Sequence, residues 1–479
     1  MNSHQDQPPL GVVELLRALT DGSVDPVEAT EACLDRIAAQ DGQINAFVWV
    51  DDRGARRTAA ERANQLRRGV RIGPLHGLPI AVKELVDVAG APSEYSSQTR
   101  VGARATADAA VVRLLRRAGA VIIGTTRSHE FGWGITTQHP VRGGTRNPRA
   151  LDRVPGGSSG GAAAAVAAGM VPACVATDTG GSVRIPSAYC GVAGVKPTFG
   201  TVPVAGVVPL APSLDTVGVI ARHSRDLWPI LRVMQGQHDP GPSTMTRPPA
   251  ASLVGRSIGF APSLIGPCAD PARLARYENA LSACGLAGAR LREVITPSAE
   301  EFRSIFVVVQ GFEAVHTHTQ VLRQFPGKKD EYGPDVAGRL EAASSITAAE
   351  YLTALAQMKA LTSRLAAAMT GVEAILTPIA LVAPPFLATA DTVLVEDVAV
   401  DTRDAIMPFT VPQNVAGLPT VAIPAGLAAD GLPFGLQITG SKDEDKMALD
   451  LAELLEHLLD DAGAEDDRRG ADRIGSPDW

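Results

Sequence analysis

Pro155-Gly156-Gly157-Ser158-Ser159-Gly160-Gly161 leads without interruption into the run from Ala162 to Ala168, alanine with a single valine. A glycine-built turn followed at once by strong helix formers leaves the backbone few alternatives: it must turn sharply and then enter a helix. That helix reads as buried rather than membrane-spanning, being far shorter than the roughly 20 residues a bilayer needs. Around it, from Gly143 to Gly218, glycine is dense without becoming low-complexity. Such density marks places where the backbone approaches something closely or takes positive φ.

The flanking sequence has an α/β rhythm. Apolar residues from Leu10 to about Arg68, including Leu15, Leu19, Ala29, Cys33 and Ile37, recur at helical spacing, with Asp25-Pro26 as cap and first-turn proline. Short β-like runs, Leu78 to Val82 and Ala120 to Ile123, bracket a helical stretch from Asp108 to Ala118. Further on, Thr347 to Met369 and Lys446 to Leu459 read as helices and Ala374 to Thr377 and Thr420 to Pro424 as buried strands. The expected layout is a helical N-terminal segment over 1–70, a catalytic domain over 71–460 and a polar, solvated tail over 461–479. A chain of 479 residues exceeds one ordinary core, so one large α/β unit or two intimate lobes is expected.

Net charge is -8, with both signs scattered, which argues against nucleic acid as a direct ligand because phosphate binding needs a concentrated basic face. The cysteines Cys33, Cys174, Cys190, Cys268 and Cys284 show no metal-ligand spacing and read as reduced thiols. Neither a signal sequence nor a membrane span is visible, so the cytoplasm is the expected compartment. His316 and His318 lack a third ligand and read as helix-surface histidines rather than a metal pair.

Three readings compete for the glycine-rich turn. A P-loop needs Gly-Lys-Ser/Thr at its end, and Gly160-Gly161-Ala162 stands there instead. A nucleophile elbow fits Gly156 to Gly160 but requires a downstream acid and histidine, and no histidine sits in such a context. A helix-capping turn remains. A second motif, Thr177-Asp178-Thr179-Gly180-Gly181-Ser182-Val183-Arg184-Ile185-Pro186, can align successive N–H groups beside an exposed serine, as an oxyanion hole requires. That serine needs a base, and Lys83, ending Gly77-Leu78-Pro79-Ile80-Ala81-Val82, qualifies if burial lowers its pKa. A solvent-seeking lysine at a strand end is the bland alternative.

Taken together, these three segments resemble the amidase signature family, whose members hydrolyse amides with a Ser, cis-Ser, Lys triad. The two serines stand 24 positions apart, as the resemblance implies. It continues through Asn414-Val415-Ala416-Gly417-Leu418-Pro419 and Gly431-Leu432-Pro433-Phe434-Gly435-Leu436-Gln437. Two departures stand out: Glu84 where aspartate is usual, and Ser128-His129-Glu130-Phe131-Gly132-Trp133 in a segment that lines the pocket in relatives.

The resemblance implies a single α/β fold, a central mixed, twisted sheet covered by helices on both faces. It implies Ser182 as nucleophile, Ser158 across a cis Gly157-Ser158 peptide as proton carrier, and Lys83 as base. Thr179, Gly180, Gly181 and Ser182 would supply oxyanion donors. Ser159, Asp178 and Arg184 would support them, Arg184 as a partner of Asp178 or of nearby backbone. His129, Phe131 and Trp133 are the expected pocket residues, giving an apolar acyl or aryl site. No metal and no cofactor is implied. Cys174 and Cys190, which flank the nucleophile, read as packing residues. Two assignments follow from this resemblance: a free-standing amidase acting on a small amide, carbamate, aryl-amide or ester, and the amidase subunit of a tRNA-dependent glutamyl/aspartyl amidotransferase. Tyr332-Gly333-Pro334 and Ile346-Thr347-Ala348-Ala349-Glu350-Tyr351 resemble the free-standing enzymes. The expected partners are then the amide and water, without nucleic acid or membrane; a homodimer is compatible with the sequence.

Overall fold

The computed structural model describes residues 10–237, 252–266, 268–395 and 397–473, with side chains to residue 460. Within them the strands are β1 Phe47–Val50, β2 Pro79–Lys83, β3 Val121–Thr126, β4 Ala173–Asp178, β5 Ala193–Lys196, β6 Thr216–Ala221, β7 Ser257–Phe260, β8 Arg290–Glu293, β9 Ala374–Pro378, β10 Thr392–Val395, β11 Val398–Asp401, β12 Thr420–Leu427 and β13 Pro433–Gly440. Eleven of these form one sheet in the order β1-β3-β2-β4-β6-β5-β12-β13-β9-β7-β8, while β10 and β11 make a separate hairpin. The sheet is mixed. β2 lies parallel to both β3 and β4, antiparallel pairings join β4, β6, β5, β12, β13 and β9 in succession, and β7 is parallel to both β9 and β8.

Burial explains the strand composition. All residues of β2, β3, β4 and β6 are buried, so these strands read as continuous apolar runs instead of alternating ones. Helices flank the sheet. The helix Gly160–Ala167, predicted from its alanines, is buried along Gly160 to Val166. The predicted helix near residue 347 spans Ala348–Ala368, with Thr347 and Glu350 forming a capping box that satisfies its first amides. Asp25 caps Pro26–Ile44 in the same manner.

Two elements depart from expectation. The helical reading of 10–68 contains a strand, β1, which pairs antiparallel with β3 at the sheet edge. Phe47, Val48, Trp49 and Val50 are β-favouring residues lying between two helices, Pro26–Ile44 and Asp52–Arg67, and the surrounding helical period hid them. The closing helix runs over Asp445–Arg473, beyond the predicted Leu459. Residues 1–9 of the N-terminal segment and 474–479 of the polar tail lie outside the described residues.

Candidate active site

Parallel pairing of β2 with β4, with Ala81 opposite Cys174 and Val82 opposite Val175, sets the carboxyl ends of the two strands side by side. Lys83 ends one and Thr177-Asp178 ends the other, at the edge where α/β sheets place their chemistry. Lys83 is fully buried. Its Nζ lies 2.7 Å from Ser158 Oγ, 2.9 Å from Ser159 Oγ and 2.8 Å from Thr177 Oγ1.

The direction of these bonds follows from the donors. Ser159 Oγ donates to the Thr177 carbonyl over 3.1 Å, so toward Lys83 it can only accept. A neutral amine donates two protons and offers one lone pair; that lone pair is left for Ser158 or Thr177. Burial brings the amine down to about 7, against the opposing pull of Asp178, Glu84, Cys174 and Asp215. Three carboxylates act on it, and desolvation outweighs them, each being committed elsewhere, Asp215 to Thr179 and the loop amides. Glu84 accepts from the Ser96 and Ser128 amides, both at 2.9 Å. Asp178 belongs to the network below.

Ser158 follows a cis Gly157–Ser158 peptide, and its carbonyl accepts from the His129 amide over 3.0 Å. Ser182 is buried on the facing loop. Beneath it, Asp178 Oδ1 accepts from the Gly181 amide at 2.8 Å, from Arg184 at 3.1 Å and from Asn414 Nδ2 at 2.8 Å. Asp178 Oδ2 accepts from the Val183 amide and Arg184 Nε, each at 3.1 Å. Burial would raise the Asp178 carboxyl, but the Arg184 charge and these donors hold it well below the usual carboxylate range. Arg184 is fully enclosed and also reaches Gln413 at 3.1 Å and Gln437 at 2.9 Å. It acts as an ion pair under the loop. Gly181 sits at φ +125°, and a Cβ there would come within 2.4 Å of Thr410 Oγ1; only glycine fits.

One oxyanion candidate is thereby redirected. The Gly181 N–H points into Asp178, and the amides of Thr179, Gly180 and Ser182 remain as candidates.

The residues expected at the pocket each have a partner of their own. His129 directs Nε2 at Asp335 Oδ2, 2.8 Å away. Trp133 Nε1 donates to Gln310 at 2.9 Å. Phe131 is buried against the His318 ring, centroids 4.5 Å apart. Gly132, between Phe131 and Trp133, lines the cleft. A Cβ at Gly132 would stand 2.8 Å from Leu85 and 3.6 Å from Ser158 Oγ. Beside the triad this small cleft has apolar walls from Leu85, Val207, Val208 and Leu210. Thr177, Thr179 and Asp215 form its polar side.

His316 is exposed as expected, but His318 is buried and bonded through Nδ1 to Tyr332 Oη at 2.9 Å. Desolvation lowers its pKa to about 4. The surface reading failed there because five residues, Thr317–Val321, widen into a π-helical turn and rotate His318 inward. Cys174 and Cys190 are buried. Among the described residues, no cluster of three or more His, Cys, Asp or Glu could hold a metal, and no helix is long and apolar enough to cross a membrane.

Asp215, Gln413 and Thr410 lie outside every sequence motif, and Thr177 opens one, but only the fold brings its hydroxyl to Lys83. Asn414 and Gln437 lay within family-like segments, but only the fold shows that both converge on Arg184.

The family model for amidases matches residues 28–449. The chain belongs to the amidase signature family. A curated relative, a glutamyl-tRNA(Gln) amidotransferase subunit of Symbiobacterium thermophilum, is 35% identical, covering 92% of this chain and 95% of that protein. A solved amidase structure is 32% identical with a TM-score of 0.85, covering 94% of this chain and all of that one (100%). The solved glutamyl-tRNA(Gln) amidotransferase subunit of Thermotoga maritima is 26% identical with a TM-score of 0.76, covering 94% of each chain. Amidase signature chains are hydrolases acting on carbon–nitrogen bonds, and this fold is theirs.

Proposed function

We propose that this amidase signature chain is a free-standing serine amidase that hydrolyses small amides bearing an uncharged, apolar group. The observation that carries the reading is the buried Lys83 amine, held by Ser158, Ser159 and Thr177 at the polar side of an apolar cleft. Ser182 Oγ attacks the amide carbon, and its proton passes through Ser158 to neutral Lys83. The oxyanion rests on the amides of Thr179, Gly180 and Ser182, each such donor being worth roughly 3 kcal/mol in the transition state. Collapse breaks the C–N bond as the relay returns the proton to the leaving amine. Water then attacks the Ser182 ester by the same route and releases the acid. The reaction calls on the amide and water alone, in the cytoplasm, and a homodimer is compatible with it.

The second reading is the amidase subunit of a tRNA-dependent amidotransferase, favoured by the relative at 35% identity. Against it stand the greater likeness to a solved amidase, TM-score 0.85 against 0.76, and the walls about the nucleophile. The nearest side-chain atoms to a Cβ at Gly180 belong to Phe306 and Met407, at 2.7 and 3.1 Å. Both are apolar, which suits a hydrocarbon group better than glutamine with its two charged α groups. The purified chain, given a panel of amides, carbamates and esters without tRNA, ATP or added metal, should turn over at least one apolar amide. Activity confined to assays with tRNA and partner subunits would overturn the free-standing reading.

A further inference from the structure

Asp215 belongs to none of the motifs that identify the family, yet it stands where the cleft, the nucleophile loop and the base meet. It follows Leu214 immediately before β6, the strand that pairs antiparallel with β4 in a register setting Thr216 opposite Asp178. That pairing brings the Asp215 carboxylate up against the residue after Asp178. Thr179 Oγ1 donates to Asp215 Oδ1 over 2.6 Å. The carboxylate is itself fixed from its own loop, Oδ2 accepting from the amides of Leu210 at 2.9 Å and Ala211 at 3.1 Å. Thr177, Thr179 and Asp215 all line the cleft.

We infer that Asp215 is a positioning residue: through Thr179 it fixes the first amide of the oxyanion site, and it sets a carboxylate on the cleft wall that it shares with Thr177, the hydroxyl partner of Lys83. The inference rests on the triad reading above. Its two parts have different physical causes and can be separated.

The anchoring part is a matter of geometry. The Thr179 amide serves an oxyanion only when its direction is set before charge develops, since a donor that must reorient forfeits much of its advantage. Thr179 follows directly after β4 and lacks a strand partner of its own; its hydroxyl bond to Asp215 supplies the missing restraint. The bond also keeps the Thr179 side chain against the cleft wall.

The electrostatic part concerns the base. The groups facing Lys83 are Glu84 from its own segment, Asp178 and Cys174 from β4, and Asp215 from the loop before β6, each of which favours its ammonium form. Burial raises the Asp215 pKa against the donors Thr179, Leu210 and Ala211, and Glu313, whose carboxylate holds Ser213 and Tyr351, adds to the rise. Glu84 and Asp178 are saturated by several donors each, but Asp215 is the member of the set that also borders the cleft. Removing its charge while keeping its shape therefore leaves Lys83 easier to deprotonate.

Labelling of Ser182 by an aryl sulfonyl fluoride tests both parts without a known substrate, with the modified peptide identified by mass spectrometry across a pH series. Asp215→Asn retains an oxygen for the loop amides, and its amide can donate to Thr179 Oγ1, so the anchor survives with its direction reversed. The midpoint of its labelling curve should move to lower pH by about half a unit or more. Thr179→Val leaves the charge in place and removes the anchor. Its labelling midpoint should stay where it is in the wild type, while the plateau rate falls about tenfold, and kcat and kcat/KM for an amide found on the panel should fall together. A wild-type plateau in Thr179→Val overturns the anchoring role, and an unmoved midpoint in a folded Asp215→Asn overturns the electrostatic one. If Asp215→Asn does not fold, Asp215→Glu, which keeps the charge and displaces it, must shift the plateau and not the midpoint; the reverse result rejects the inference. Absence of any Ser182 label in the wild type rejects the triad itself, an outcome distinct from a labelled enzyme that ignores Asp215.

Discussion

The Ser159 amide donates to the Ser182 carbonyl over 3.2 Å. One backbone hydrogen bond thus ties the glycine-rich turn carrying Ser158 to the loop carrying Ser182, and neither serine hydroxyl takes part in it. Substitution of either side chain should leave the two loops joined.

Ser182→Ala should therefore fold as the wild type does, with an unchanged thermal midpoint, and lose turnover by a factor on the order of 10⁴ or more. A folded variant with substantial residual hydrolysis would move the nucleophile to another residue.

The pH dependence follows from Lys83. Its active form is the neutral amine, and burial places the transition at about 7. kcat/KM should rise through a single ionisation near that value and level off in the mildly alkaline range. Lys83→Ala should abolish the ionisation along with most of the rate; near-native rates with an intact pH profile would show that the proton goes elsewhere. Stability carries the same signature. The folded pKa lies below the unfolded lysine value of about 10.4, so between about 7 and about 10.4 the unfolded chain binds the extra proton and stability rises with pH. Below that window the folded protein bears the full cost of a buried ammonium. Lys83→Met should flatten this slope in urea titrations run across the window.

Much of the site was legible because its chemistry is local in sequence. Lys83, Ser158 and Ser182 each sit in a short motif whose glycines and prolines constrain the backbone around them. What escaped is non-local. Thr177 reaches Lys83 only because β2 and β4 are parallel neighbours, and strand order cannot be read from a run of valines and alanines. The helix Thr402–Val415, which delivers Thr410, Gln413 and Asn414 to the nucleophile loop, contains Pro408 and Pro412. Proline inside a helix costs a hydrogen bond and argues against the helix locally, so the sequence concealed the element that braces the site. His129, Phe131 and Trp133 are named by their place in the segment, and only the fold gives their partners, Asp335, His318 and Gln310.

Asp178 and Arg184 form a fully buried pair, and buried pairs are asymmetric: removing one partner strands the other's charge. Asp178→Asn should lower stability by roughly 3–5 kcal/mol, and Arg184→Met by a similar amount. The double variant should lose less than the sum, because neither charge is then left alone. Urea midpoints read the three losses; additive losses would show that the two side chains do not act as a unit.

The last expectation concerns what the cleft accepts. Its walls are Leu85, Val207, Val208 and Leu210, and Gly132 keeps the approach to Ser158 open. Each methylene moved from water onto such walls contributes about 0.8 kcal/mol, roughly a fourfold gain. In a series of amides with unbranched acyl chains, kcat/KM should therefore climb by up to about that factor per carbon until the cleft is filled, then fall as further carbons meet protein or return to water. Leu85→Ala should flatten the climb without moving the acid limb of the pH profile, since Leu85 touches neither Lys83 nor its hydroxyl partners by hydrogen bond. Glutamine should be a poor substrate for the purified chain, because its ammonium and carboxylate would be stripped of water against a hydrocarbon wall whose one carboxylate among the lining residues, Asp215, is already occupied by Thr179 and the loop amides. A flat response to chain length, combined with efficient glutamine hydrolysis, would turn the assignment toward the amidotransferase subunit.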